Sequence, residues 1–381
     1  MIRFILTIVL FVLCVVSYYP AFLNSGNRGS LIVALIAILL FIMSFFKNRP
    51  IDRFLKIYLL FSIFITLFSV LFALILGVQC LGAIMEILIP FVMLYIGASS
   101  SLSEKQNIIV LACYVLFAII ISYITIKVNI GGFVIESQYL VTIKNSLGGM
   151  LALAGVITAF GIKISKDLIG KAICIILLFI LTLFILTIRA RLALLAMLFV
   201  SILIYKQDIK IKYFIPGTIL FIVVVVVKYF YTGTFITNSI DTFIYDSFFL
   251  NKTEDLTSGR TTLILDALQL LFKSPLWGNL TLQSDIGWTH NYLMLKLSSY
   301  GILGAIPWVG LYLYISFYIL KSYLQIRNLR FVHLGLFLSM VIFIISLGEP
   351  TYPYGPGTIS AIAYYFLGVF SNCKFCSVKM N

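Results

Sequence analysis

Three stretches of this chain combine residue types that can handle an anion and a proton. In Thr187-Ile188-Arg189-Ala190-Arg191-Leu192, two guanidiniums stand two positions apart between apolar runs. On one helix they would lie about 200° apart, so only one could face a bundle interior. Arginine in or near a membrane is costly unless partnered, which makes Arg191, and after it Arg189, candidates for holding an anion. The plainer reading is an arginine that snorkels to the interface. The second stretch is Asp255-Leu256-Thr257-Ser258-Gly259-Arg260, followed by apolar residues at 263, 264, 267, 268, 271 and 272. That period predicts a short amphipathic helix on a membrane surface, with Asp266, Gln269 and Lys273 on its polar side. Thr257 or Ser258 is a ready N-cap, and Ser274-Pro275 is a stop. Arg260 then sits in the first turn, where the dipole favours an anion, and guanidinium and backbone N–H groups can hold that anion together. The third stretch is Trp288-Thr289-His290-Asn291-Tyr292, which opens a long apolar run. Along a continuous helix, His290, Leu297, Gly301 and Gly304 share one narrow stripe. The glycines would let a neighbouring helix approach, and a histidine at the water boundary can exchange a proton near neutral pH.

The elements that must position these residues follow from composition. Of 381 residues, 62% are hydrophobic and only 10% charged, and mean hydropathy is +1.13. A soluble chain would carry about 25% charged residues, so an ordinary soluble enzyme, a disordered chain and a disulfide scaffold are all excluded. Continuous apolar runs such as 171–188 also exclude an outer-membrane barrel, whose strands alternate. The expectation is an all-α, polytopic transmembrane helix bundle of about 12 spans. They fall near 4–19, 31–46, 56–76, 81–97, 108–126, 146–162, 171–188, 190–205, 213–230, 290–318, 331–347 and 358–370. The first run ends at Tyr18-Tyr19-Pro20 with no small-x-small pattern, which reads as a retained helix and not a signal peptide.

The formal charge is +14. Seventeen of the 27 lysines and arginines fall in alternate loops on one side of this arrangement, which places both termini in the cytoplasm. Residues 1–381 then form a single integral membrane domain, in which 231–289 is a large extracytoplasmic loop. Loops this long are usually functional or disordered, and Trp277 and Trp288 favour an ordered one. Other polar residues are expected on the outer side. Glu349 lies in the short loop Gly348-Glu349-Pro350, where it can orient His290 or bind substrate. Tyr352, Tyr354 and Trp288 could stack on a ring, though an interfacial aromatic belt is the default. Glu86 falls inside an apolar run and must pair within the bundle or face a cavity. Lys296 is placed on a different face from His290. The six cysteines include a lone C-x-x-C, Cys373 and Cys376, without the further ligands a zinc site needs. There is no P-loop or metal cluster, and outer carboxylates are scattered, so no divalent metal and no cofactor are expected.

Arg191 to Leu195 fits R-x3-L, and His290-Asn291 followed by Gly301-x-x-Gly304 fits H-N-x9-G-x-x-G. With Ser258-Gly259-Arg260 before the surface helix, the chain resembles the O-antigen ligase and O-antigen polymerase superfamily of bacterial envelope glycosyltransferases. The resemblance is clearest over 185–305. It implies an inverting, metal-independent transfer at the outer face of the cytoplasmic membrane, from an undecaprenyl-pyrophosphate-linked glycan. A polymerase would extend another lipid-linked repeat unit; a ligase would transfer the glycan to lipid A core. Without a metal, arginines must meet the departing pyrophosphate. Arg191 and Arg260 are assigned to it, and His290 to the acceptor hydroxyl. Arg189, Asn291 and Glu349 are assigned to substrate binding. Membrane lipid and a chain-length regulator protein are the other partners implied, with no nucleic acid. The rival of a different class is a transporter for the lipid-linked anion, which would need ionisable groups near the midplane of several spans.

Overall fold

The computed structural model of the chain describes residues 1–19, 28–45, 52–76, 81–130, 144–188, 190–206, 260–278, 290–354 and 359–378. Among these, every regular element is helical. The order is α1 (Ile2–Val16), α2 (Arg28–Phe45), α3 (Arg53–Leu76), α4 (Leu81–Ala98), α5 (Glu104–Ile130), α6 (Lys144–Ile164), α7 (Leu168–Thr187) and α8 (Arg191–Tyr205). It continues with α9 (Arg260–Lys273), α10 (Tyr292–Leu324), a 3-10 turn (Phe331–His333), α11 (Leu334–Ile345) and α12 (Ser360–Val378). Among the described residues, five stretches are long and apolar enough to cross a membrane: Arg53–Ile75, Glu104–Lys127, Asn145–Ile164, Leu168–Thr187 and Tyr292–Leu324. The expected span at 213–230 lies outside the described residues, as do 231–259 and 279–289 of the expected outer loop.

The chain folds as two compact units, Met1–Phe117 with Gly259–Asn381, and Ala118–Ser258. In the first, α12 is the central helix, with Ala361 to Leu367 almost wholly buried. It packs most closely on α4, where Gly97 lies against the Tyr365 backbone and Gly368 against that of Leu94. Lipid offers little hydrophobic drive to bring helices together, so small residues that let backbones touch take over that role. Outward-facing Leu35, Ile38, Leu67 and Leu74 are more than half exposed, as apolar side chains meeting hydrocarbon would be. At one end of this unit the buried Arg3 donates to Ser44 Oγ at 2.9 Å and to the Ile96 carbonyl at 3.1 Å. The start of α1 and the ends of α2 and α4 therefore share one face, and the guanidinium meets the negative end of the α4 dipole.

In the second unit α6 is the core. Its Gly148 packs on Ala190 and Ala193, and its Gly155 on Met197. Tyr205 donates to the Ala159 carbonyl at 2.8 Å. Helix α7 is capped by Asp167, whose carboxylate accepts from the Gly170 amide at 2.6 Å. Most of its surface faces outward, so its apolar character reads as lipid contact and not as core.

Candidate functional site

The first arginine stretch turns out to be a helix start. Helix α7 ends at Thr187, and Arg191 is the first residue of α8. The 200° argument needs Arg189 as well and so falls outside the described residues. Arg189 lies outside the described residues, and Arg191 is half-buried. In the other unit, Arg260 is the first described residue of α9, and that helix ends at Lys273, just before the expected stop at Ser274-Pro275. Thr257 and Ser258 lie outside the described residues. Arg191, which follows the N-cap Ala190, thus stands where free backbone N–H groups concentrate.

Helix α9 packs on α10 with Ala267 at its contact. Leu265, Phe272, Leu276 and Trp277 are more than half exposed, an apolar edge that suits a membrane surface. Beyond α9 the chain turns back into α10. The amides of Ile302 and Leu303 donate to the carbonyls of Pro275 (2.8 Å) and Leu276 (3.2 Å).

Those bonds exist because α10 is broken. Gly301 has φ 64° and ψ −176°, a conformation open to glycine alone. A Cβ there would sit 2.5 Å from the backbone of Gly278 and Leu276. The break leaves the amides just beyond it without helical partners, and the 275–276 carbonyls take them. Gly304 has a different reason: a Cβ would meet the Phe72 ring of α3 at 3.1 Å. So His290, Leu297, Gly301 and Gly304 do not form one helical stripe. At ~1.5 Å per residue, 302–324 alone reaches about 34 Å, enough to cross a bilayer core. The half-helix 292–300 is the part that projects beyond it.

His290 lies just before the helix and is half-buried. Asn291 is the N-cap of α10: its Oδ1 accepts from the Met294 amide at 3.1 Å, and its Nδ2 donates to the Leu347 carbonyl at 3.2 Å. Tyr292 N donates to the Ser346 carbonyl at 3.2 Å. These bonds fix 290–292 beside the end of α11, two to three residues before Glu349. Each end of the Asn291 amide thus makes one bond within the protein. Glu349 is 7% exposed and buried in its loop. Tyr352 and Tyr354 are fully buried and cannot stack on a sugar here. The Tyr354 ring packs on those of Tyr292 (5.4 Å) and Tyr364 (6.2 Å). Trp288 lies outside the described residues.

Sequence reasoning missed a buried ion pair. Lys296 Nζ donates to Glu86 Oε2 at 2.7 Å, with the side chains only 7% and 21% exposed. The same ammonium lies 4.1 Å from the Trp308 ring centre, 5.2 Å from Tyr292 and 5.8 Å from Tyr300. Aromatic faces attract a desolvated cation, so three rings and one carboxylate enclose this lysine. Glu86 sits four residues before Pro90, which supplies no amide for the Glu86 carbonyl. Tyr58 reaches the neighbouring Ile87 carbonyl at 3.4 Å. Glu86 and Lys296 are 210 residues apart, and no local pattern joins them. The one signal in the sequence was that each is an ionisable residue near the start of an apolar run.

Among the described residues no group of histidines, cysteines and carboxylates could hold a metal ion. Cys373 and Cys376 fall in α12. Compared with protein families and curated proteins, the chain matches no family model and no curated protein.

Proposed function

We propose that this chain is a membrane glycosyltransferase that polymerises undecaprenyl-pyrophosphate-linked repeat units, an O-antigen or capsule polymerase. It acts from the outer face of the cytoplasmic membrane, with both termini inside. The acceptor hydroxyl attacks the anomeric carbon of the donor as the bond from that carbon to the phosphate oxygen breaks. Configuration inverts, the lipid pyrophosphate leaves, and the hydroxyl proton passes to His290. Arg191 and Arg260 are assigned to the charge that grows on the pyrophosphate. Arg189 assists them, and Glu349 holds the His290 loop.

One observation carries the reading. In H-N-x9-G-x-x-G each fixed position after the histidine has its own physical role, since Asn291 caps, Gly301 breaks the helix, and Gly304 admits Phe72. That leaves His290 as the one member of the motif at the helix mouth with chemistry to offer. The test is chain lengthening by purified protein, with lipid-linked repeat units as both donor and acceptor and a chelator present. Transfer only onto lipid A core would make the protein a ligase.

A transporter for the lipid-linked anion is the second reading, and the Glu86–Lys296 pair favours it, because buried ion pairs recur on transport paths. Movement of unextended lipid-linked units across a vesicle membrane, with no lengthening, would select it.

A further inference from the structure

We infer that Glu86 and Lys296 are a positioning pair that sets the placement of His290, an inference that rests on the glycosyl-transfer reading only for its effect on turnover. The break at Gly301 separates residues 292–300 from the rest of α10. A helix this short is not held by propensity, so tertiary bonds must fix this segment. At its start, Asn291 and the Tyr292 amide bind the Leu347 and Ser346 carbonyls. At its end, the 275–278 turn caps the chain beyond Gly301. Both ties act at the ends of the segment, and between them the buried rings of Tyr292, packed on Tyr354, and of Tyr300, packed on Phe72, limit its roll about its own axis.

The Lys296–Glu86 bond stops that roll. It is a single directional contact of 2.7 Å to α4, made from the middle of the segment. The aromatic box of Tyr292, Tyr300 and Trp308 keeps the ammonium from leaving toward water. A leucine at 296 would pack at less cost, since a buried ion pair rarely outperforms apolar side chains of similar size in stability. What the charges add is one allowed rotation. The carboxylate stands on α4, so its place is fixed by that helix and not by the loop that carries His290. Neither residue touches substrate; both act through the half-helix.

The experiment reads the placement of His290 without relying on activity. The protein carrying His290→Cys is purified in detergent, and maleimide labelling at that position is followed by peptide mass spectrometry. Three backgrounds are compared: the parent, Glu86→Gln/Lys296→Met, and Lys296→Arg. Removing both charges together avoids stranding one of them, so the neutral pair should keep the melting temperature. Its labelling rate should change by about tenfold, while Lys296→Arg, which can keep the carboxylate bond and the ring stack, stays within about twofold. A neutral pair that labels within about twofold of the parent overturns the proposal. If the neutral pair fails to accumulate, Glu86→Asp serves instead: it keeps both charges but withdraws the carboxylate by one methylene. It should shift the rate at least about threefold, and no shift overturns the proposal equally. In the enzyme with His290 intact, the neutral pair should lose about 10²-fold in kcat, the effect of a misplacement of about 1 Å, with donor KM unchanged. Failure of the parent to lengthen chains would sink the glycosyl-transfer reading and leave the labelling result standing.

Discussion

Gly278 and Gly301 meet backbone to backbone, both with positive φ, 74° and 64°. Through this contact the turn after the surface helix α9 plugs the break in α10. The protein thus joins the helix that begins with Arg260 to the half-helix that follows His290, in a way that only glycine permits at either position.

Gly301→Ala and Gly278→Ala should therefore each destabilise the protein by about 1–3 kcal/mol from backbone strain alone, before the added Cβ contacts. Gly304→Ala should cost less, because no positive φ is strained there, although its Cβ would meet Tyr300 Cβ at 2.9 Å and the Phe72 ring at 3.1 Å. Thermal melts in detergent check this order; an unchanged melt for Gly301→Ala would contradict the broken helix.

Asn291 divides its two roles between the two atoms of one amide. Asn291→Ala loses both cap and tie and should cost about 1 kcal/mol or somewhat more. Asn291→Asp keeps the cap to Met294 but cannot donate to Leu347. It should melt near the wild type yet lose activity if the tie to 347 helps place His290. Equal activity for Asp and Asn would show that the cap alone matters.

The arginines should not tolerate lysine. Guanidinium stays charged and offers a planar fork of donors, whereas ammonium is a point charge. Arg191→Lys and Arg260→Lys should each lose on the order of 10²-fold in kcat, with smaller changes in KM. Arg189→Lys should be milder. Steady-state kinetics on lipid-linked donor decide, and a change confined to KM would assign these arginines to ground-state binding.

Much of the fold was legible because hydropathy reports helices directly: the apolar runs from residue 4 to 205 recur as α1 to α8 within a few residues. The end of α9 was legible too, since Arg260–Lys273 ends at the Ser274-Pro275 stop that sequence announces. The break at Gly301 was not. Gly301-Ile302-Leu303-Gly304-Ala305 reads as an apolar run with small residues, and the positive φ depends on the 275–278 turn, which arrives from elsewhere in the chain. Tyr352 and Tyr354 read as loop aromatics near water, yet both rings are buried, and those around Tyr354 come from α10 and α12. The Lys296–Glu86 pair was hidden for the same reason: a long-range contact between two helices leaves no spacing to read.

Topology is open to a direct check. Charge asymmetry in the sequence predicts 231–289 outside and 206–212 inside. In intact cells an impermeant maleimide should label Thr253→Cys and not Gln207→Cys; the reverse pattern would move every proposed site residue to the wrong side.

His290 is tested by the loss of its imidazole. His290→Ala should lower chain extension by roughly 10²–10⁴-fold while the protein inserts and accumulates normally. Near-normal polymer length would reduce His290 to a packing residue.

The central claim is polymerisation without metal or gradient, and one measurement addresses it. Purified protein is given a lipid-linked repeat unit in detergent with a chelator, and the glycan still attached to the lipid is sized. A ladder of lengthened, carrier-linked chains is expected from wild type and none from His290→Ala. Carrier-linked units that remain one repeat long with wild-type protein would contradict the polymerase reading.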